Sequence, residues 1–281
     1  MAYAHADDQM ASWNSRRGHA WVEAQESLDR VFKRFEDLLV EAVKESAARR
    51  VLDVGCGTGS TTLAIARALG TNGYALGVDI SEPMIAAAQA RAERQTPAAP
   101  AFVRADAQSY AFEPASFDSI VSRFGVMFFS DSVAAFANLR RAASNGAELR
   151  FIAWRSPADN PFMTTAERAA APLLPAMPVR DPDAPGQFAF ANASRVREIL
   201  ERGGWSEIEI LPLDVTCTFP EAELVDYFTR LGPLGQVLHA ADDETRRRVI
   251  GTVRAAFEPF VHGAEVRFDA ACWLAVARAL P

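Results

Sequence analysis

The chain has 281 residues, 49% hydrophobic and 23% charged, which suits one large α/β domain or two small ones in an ordinary globular protein. A net charge of −7 gives no electrostatic reason to hold a phosphate backbone, so nucleic acid is excluded as a first partner. Cys56, Cys217 and Cys272 are far apart and form no C-x-x-C pair, which argues against a disulfide framework or a metal site and fits a reducing compartment.

Residues 1–17 are polar, without the apolar run of a secretory signal, and no apolar stretch reaches the roughly 20 residues of a membrane span. The expectation is a cytoplasmic protein with no membrane span, monomeric or a homodimer. Residues 20–48 place Trp21, Leu28, Phe32, Phe35 and Leu39 at helical spacing, which predicts one or two helices. Val51–Val54 is a short buried strand that runs into glycines. A helix follows over 61–69 and a strand over 75–79. A further helix starts at Ser81-Glu82-Pro83, with Ser81 as N-cap. Strands are predicted at 101–104, 119–122 and 148–154, with a helix over 132–143. Strands alternating with helices imply a doubly wound, mostly parallel sheet. Seven prolines punctuate 156–192, which reads as an insertion over the mouth of the sheet. A helix at 194–203, a strand-like stretch at 207–219, helices over 221–262 and a last strand at 265–277 complete the chain. Arg246-Arg247-Arg248 follows Asp242-Asp243-Glu244 and reads as a solvated helix face.

The chemistry concentrates at the carboxyl ends of the strands. Gly55, Gly57 and Gly59 alternate between a strand and a helix, where free N–H groups and a partial positive charge can receive a carboxylate, a phosphate or a polar nucleoside. Ser60 stands where a dinucleotide fingerprint requires Gly or Ala. The same glycines also suit a bare tight turn. Asp79 ends the second strand, and a carboxylate there can take both hydroxyls of a ribose; a loop acid or a helix cap would look the same. Asp106 follows the third strand, where it can meet an adenine amino group or be a surface acid.

Val51 to Gly59 with Asp79, Asp106 and Phe117-Asp118-Ser119-Ile120-Val121-Ser122 resembles the class I S-adenosylmethionine-dependent methyltransferases. The branch is that of ubiquinone/menaquinone biosynthesis and other small-molecule enzymes. The resemblance implies a seven-stranded sheet with its last strand antiparallel. It implies a helical N-terminal lid over 1–48 and a methyltransferase domain over 49–281, with insertions at about 156–192 and 220–262 forming a substrate cap. It also implies that S-adenosylmethionine is bound by Asp53, Gly55, Cys56, Gly57, Gly59, Asp79, Ile80, Met84, Asp106, Ala107, Ser122 and Arg123. Phe124 would stand near the methyl group. The pattern Trp13-Asn14 … Trp21 … Gln25 resembles relatives whose leading helix closes over the cofactor, although both tryptophans would equally serve to pack that helix.

A methyl on sulfonium needs alignment and exclusion of water more than activation, and a base only if the acceptor carries a proton. Of His5, His19, His239 and His262, none sits in a motif; His19, in the expected lid, is the candidate base. Phe124, Met127, Phe128, Phe129, Trp154, Phe162 and Met163 are apolar candidates for the acceptor wall, and Trp13, Trp21 and Gln25 join them. The expected partner is a small organic methyl acceptor, apolar or aromatic. Ser122-Arg123-Phe124-Gly125 is not the Asn/Asp-Pro-Pro-Tyr/Phe motif of amino-methylating DNA enzymes. Two alternatives remain: a non-catalytic S-adenosylmethionine-binding protein and an NAD-dependent oxidoreductase.

Overall fold

The structure, a computed structural model, describes residues 6–94, 100–174, 181 and 184–280. His5, residues 1–5 of the expected lid, and Pro175, Pro178 and Pro182 of the proline-rich stretch lie outside the described residues. Four helices lead: α1 (Ala6–Trp13), α2 (Arg16–Glu23), α3 (Gln25–Val31) and α4 (Lys33–Glu45). Then come β1 (Arg50–Val54), α5 (Ser60–Leu69), β2 (Tyr74–Asp79), α6 (Glu82–Ala92), β3 (Ala101–Arg104), β4 (Phe117–Arg123), α7 (Ser132–Ala142) and β5 (Ala143–Trp154). The rest is α8 (Pro161–Ala170), α9 (Ala193–Arg202), β6 (Ser206–Pro220), α10 (Leu224–Arg230), α11 (Gly232–Val237), α12 (Asp243–Ala256), β7 (Val261–His262) and β8 (Glu265–Arg278).

The strands form one sheet in the order β3-β2-β1-β4-β5-β8-β6, with β7 paired to β8. Pairing is parallel from β3 through β5; β8 is antiparallel to both β5 and β6. The expected antiparallel last strand is therefore present. The short β7 makes the sheet eight-stranded, because Val261-His262 folds back as a hairpin on the start of β8. Strand order reverses between β1 and β4, and in open α/β sheets ligands bind outside the carboxyl ends at that point. The central strands are apolar because helices cover both faces: Leu52, Ile120, Leu149, Phe151 and Ile152 have no solvent exposure. The outer strand β6 instead alternates between half-buried and exposed residues along much of its length.

Three expectations need correction. The proline-rich stretch contains α8, because Pro161 occupies the first helical turn, where no N–H is needed. Asn160 before it ties the segment to the sheet: its carboxamide donates to the Ala271 carbonyl (2.9 Å) and accepts from the Ala271 N–H (2.9 Å). Second, α4 belongs to the core: Phe35, Leu39 and Val43 are at most 1% exposed and join the cluster under the sheet. Third, Ser81 precedes α6 without capping it by its side chain. The Ser81 hydroxyl donates to the Trp13 carbonyl (2.8 Å), and Asn14 Oδ1 accepts from the Glu82 N–H (2.7 Å). The cap of α6 comes from the end of α1, 68 residues away.

At the reversal point the loops after β1 and β4 touch backbone to backbone. A Cβ on Gly125 would lie 2.6 Å from the Val54 carbonyl oxygen and 2.7 Å from Gly55 Cα. A Cβ on Gly251, inside α12, would meet nothing within 4 Å. Gly125→Ala is expected to lower the thermal midpoint by about 3–10 °C, an overpacking cost of roughly 1–3 kcal/mol. Gly251→Ala should raise it slightly through helix propensity. Differential scanning calorimetry of the pair checks this, and equal midpoints would remove the contact's claimed importance.

Candidate active site

The glycine loop is stitched to β2 before it reaches the helix. The N–H groups of Gly55 and Cys56 both donate to the Val78 carbonyl (2.8 and 3.1 Å). Gly55, Gly57 and Gly59 all have positive φ, at +67°, +55° and +84°, a path that only glycine follows at little cost. Their tasks differ. Gly55 and Gly57 line a cleft, together with Cys56 and Thr58. Gly59 does not: its Cβ would run into the Phe102 ring at 2.7 Å, so it serves the packing of α5 on β3.

Two carboxylates stand at the cleft's inner end. Asp79 Oδ2 accepts from the Gly57 N–H (2.8 Å) and Oδ1 from the Ser81 N–H (2.9 Å). Each oxygen keeps a lone pair, so the group retains capacity for the two hydroxyls of a cis-diol. Desolvation by the cleft walls pushes its carboxyl above the ordinary value, opposed by the N–H groups of Ser81, Gly57 and Ile80. Asp53 is 2% exposed and accepts from the Thr62 hydroxyl (2.6 Å). Burial raises its carboxyl to about 6, against the Thr62 hydrogen bond and the Arg123 charge. The Arg123 guanidinium donates to Ser60 Oγ (2.8 Å) and to the Phe32 carbonyl (3.5 Å). Beside them the Thr61 hydroxyl, in the first turn of α5, is buried on the cleft without a hydrogen-bond partner among the described residues. The third acid, Asp106, closes its own turn through the Gln108 N–H (2.9 Å) and lies along the cleft with Ala107; Ile80 and Met84 complete that side.

The outer wall is aromatic. Phe124, directly after β4, holds a positive φ of +62°, which costs a residue with a side chain about 1–2 kcal/mol. The ring is fixed from behind: Trp154 stacks on it at 4.7 Å between centroids, 13° from coplanar, and Phe32 and Phe35 meet it edge-on. Trp13 sets its edge against Trp21 (5.9 Å) and Phe128 (5.1 Å), with the Arg17 guanidinium 3.8 Å over its ring. Trp13 and Trp21 thus pack the leading helices and face the cleft at once. Phe129 and Gln25 line it too.

Several sequence candidates lie elsewhere. Ser122 spends its hydroxyl on the Val54 carbonyl (2.7 Å) and the Gly125 N–H (3.2 Å), beneath the cleft floor. Met127 is buried and accepts from the Trp154 N–H, so both support the wall from behind. Phe162 stacks on Phe268 at 3.9 Å in a separate aromatic cluster with Tyr227 and Phe257, and Met163 accepts there from the Tyr227 hydroxyl. No described residue of 156–192 or 220–262 lines the cleft; Arg230 to Gln236 reach only a shallow groove beside Arg16, Arg17 and Trp21. His19 is exposed, its ring nitrogen 3.1 Å from the Ser15 carbonyl, and is not on the cleft. Sequence reading missed Gln9, Leu28, Asp29, Phe32, Thr61 and Gly125, all of which line it. Asp29 ion-pairs with Arg91 (2.7 Å), which also donates to the Thr58 carbonyl (3.0 Å), a link across 62 residues that no local spacing reveals. Among the described residues no group of three or more His, Cys, Asp or Glu is placed to hold a metal, and no helix is long and apolar enough to cross a membrane.

Residues 51–146 match the methyltransferase domain family. The 2-phytyl-1,4-naphtoquinone methyltransferase of Nostoc punctiforme is 33% identical over 122 residues, 42% of this chain and 53% of that protein. The ubiquinone/menaquinone biosynthesis C-methyltransferase UbiE of Rhizobium leguminosarum is 31% identical over 132 residues, 46% of this chain and 51% of its own length. The chain thus spans about half the length of the curated relatives it matches. In fold it resembles the YcgJ protein of Bacillus subtilis, with a TM-score of 0.58 at 18% identity over 88% of this chain and 98% of that one. Over its glycine loop, its acids and β1 to β4, this chain thus resembles the class I S-adenosylmethionine-dependent methyltransferases, the quinone methyltransferases among them.

Proposed function

We propose that the whole chain transfers the methyl group of S-adenosylmethionine to a small apolar or aromatic acceptor. The observation that carries this reading is one cleft lined at once by the glycine loop, by Asp53, Asp79 and Asp106, and by the rings of Trp13, Trp21, Phe124 and Phe128. Polar loop groups beside apolar rings suit a nucleoside-like cofactor next to a small apolar acceptor. When bound, the cofactor supplies a methyl on a positively charged sulfur, already an electrophile.

The chain's own groups fit that ligand. Asp79 has acceptor capacity for the ribose hydroxyls, and Ile80, Met84 and Ala107 offer apolar surface for the adenine, with Asp106 at its edge. The unpaired Thr61 hydroxyl, the N-terminus of α5 and Arg123 suit the methionine carboxylate, while Asp53 supplies charge for the ammonium. Phe124 is held rigidly enough to fix an acceptor in line, and the aromatic wall excludes water. The described histidines, His19, His239 and His262, are exposed and lie off the cleft. The chemistry derived from these residues is therefore orientation, with carboxylates as the titratable acids at hand. Residues 1–48 serve as the lid of this domain, with α1 and α2 over the cleft and α3 and α4 anchored in the core by Leu28, Val31, Phe35 and Leu39.

Asp79→Asn must turn an NH₂ toward one of two backbone N–H groups and loses the charge. Affinity for S-adenosylhomocysteine, measured calorimetrically, is expected to fall roughly 10–100-fold. Thermal stabilisation of the wild-type chain by NAD but not by S-adenosylhomocysteine would sink the proposal. Tight cofactor binding with no transfer to a broad acceptor panel would favour a non-catalytic binding protein instead.

Asp53 carries a pH signature. Its folded value, about 6, lies above the ordinary 3.8. Between these values the folded chain holds a proton the unfolded chain has released, so stability falls as pH rises through the window and stays lower above it. Asp53→Asn keeps an acceptor for Thr62 and removes the buried charge. The unliganded variant should melt about 5 °C above wild type at pH 7.5, with the gap closing by pH 5, while binding S-adenosylhomocysteine about tenfold more weakly. A gap that does not change with pH would refute the assignment.

A further inference from the structure

Helix α6 meets the glycine loop through one face. Met84, Ala88 and Arg91 follow one another at spacings of four and three, which puts them on that face. A Cβ on Gly57 would stand 3.8 Å from Met84 Sδ, and one on Gly59 would stand 2.9 Å from Ala88 Cβ, so small residues let helix and loop approach. Arg91, one turn further on, reaches the residue between these glycines. Its Nη1 donates to the Thr58 carbonyl (3.0 Å) and to Thr58 Oγ1 (3.3 Å), and its Nη2 donates to Asp29 Oδ2 (2.7 Å), on α3 in the roof of the cleft. A basic side chain in the last turn of a helix commonly serves that helix's own carbonyl end. Arg91 instead leaves its helix, and it and Asp29 are each only 24% exposed.

Thr58 needs a hold from outside the loop. Gly57 and Gly59 on either side have positive φ and no side chain to limit rotation of the peptide groups between them. The Gly59 N–H donates to the Cys56 carbonyl (2.9 Å), which fixes one end of the Thr58–Gly59 peptide. Arg91 fixes the other end. The carbonyl and N–H of a planar trans peptide point opposite ways, so the two bonds together set its plane. Asp29 lines the cleft beside Gly57 and Thr58, where a carboxylate could meet a ligand directly. Its oxygen and its charge are committed to the guanidinium instead.

We propose that Arg91 is a positioning residue for the cofactor and that Asp29 acts through it. The roof carboxylate aims the guanidinium, and the guanidinium sets the stretch of glycine loop on which S-adenosylmethionine is held. This rests on reading the cleft as a methyltransferase site. Neither residue has to touch the reacting atoms.

The test is a double-mutant cycle on the full chain, with S-adenosylhomocysteine titrated calorimetrically. Arg91→Met keeps the apolar stem and removes the donors; it should weaken binding about tenfold, and a loss under threefold would overturn the proposal. Asp29→Asn keeps the shape and removes the charge; a loss of about fivefold is expected, and one under twofold would overturn Asp29's part. The double variant should bind within twofold of Arg91→Met, because Asp29 then has nothing to aim. A larger further loss would overturn the indirect role by giving Asp29 a ligand contact of its own. Arg91→Lys keeps a cation for Asp29 and a donor for the loop, so it should bind more tightly than Arg91→Met; equal weakness of the two would overturn aiming by charge. A purely structural tie would lower the unliganded thermal midpoint of each variant and leave the affinity of the folded protein unchanged. Should Arg91→Met not fold, Arg91→Gln takes its place in the cycle. Wild-type protein that binds no S-adenosylhomocysteine would overturn the methyltransferase reading itself.

Discussion

The architecture of the cleft depends on one close approach, the backbone contact between Gly55 and Gly125 at the point where strand order reverses. The loops leaving β1 and β4 diverge to opposite sides of the sheet, and a ligand site forms where they part. With no Cβ on either residue the loops touch before they part, so the floor of the cleft is main chain. Ser122 locks this arrangement, donating to the Val54 carbonyl on one loop and accepting from the Gly125 N–H on the other. Side chains are then free to act as walls. Asp53, Asp79 and Phe124, turned by its positive φ, all line the cleft.

The same region holds the molecule's energetic liabilities. A buried carboxylate, a strained phenylalanine and unpaired polar atoms at Gln9, Gln25 and Thr61 all border the cleft. Each lowers the stability of the unliganded chain. Such strain persists only where the surroundings over-determine it, as the packing of Trp154, Phe32 and Phe35 about Phe124 does. The apolar sheet beneath, with Leu52, Ile120, Phe151 and Ile152 fully buried, supplies the stability that tolerates it.

What was legible in the sequence is what local pattern encodes. Short apolar runs ending in glycine or aspartate marked the parallel strands, and the spacing of Gly55, Gly57, Asp79 and Asp106 marked one end of the cleft, because those residues follow directly from strand ends. Pairwise geometry across long separations was not legible. Gly59 looks like its two neighbours in sequence, yet Phe102 on β3 decides that it packs a helix instead of facing the cleft. Phe162 and Trp154 read as wall residues because apolar side chains near strand ends look alike. Only the tertiary fold sends one to a stack with Phe268 and the other behind Phe124. Gly125 carried a faint signal, a glycine just past a strand, but its partner is 70 residues away.

Roof and floor are joined by a different kind of contact from those inside the core. Helix α4 is held by Phe35, Leu39, Val40 and Val43, which water cannot replace. Among the described apolar residues of α1 and α2, Trp13 and Ala20 are the buried ones, and Trp13 faces the cleft rather than joining the main core. Their polar ties include Asn14 to the Ile80 carbonyl and the Glu82 N–H, and Ser81 to the Trp13 carbonyl. Helix α3 adds Asp29 to Arg91, half-buried at 24% on each side. Three of these ties end on the segment directly after Asp79, and the fourth reaches Thr58 on the glycine loop through Arg91. Further ties run to the other edge of the sheet: Ser27 and Arg30 of α3 bond Glu223 just after β6, Glu23 of α2 pairs with Arg230, and Leu28 and Val31 of α3 join the main core. The loops after β1 and β2 are thereby tied to the helices that carry Gln9, Trp13, Trp21 and Gln25, so both walls of the cleft are held by one set of contacts.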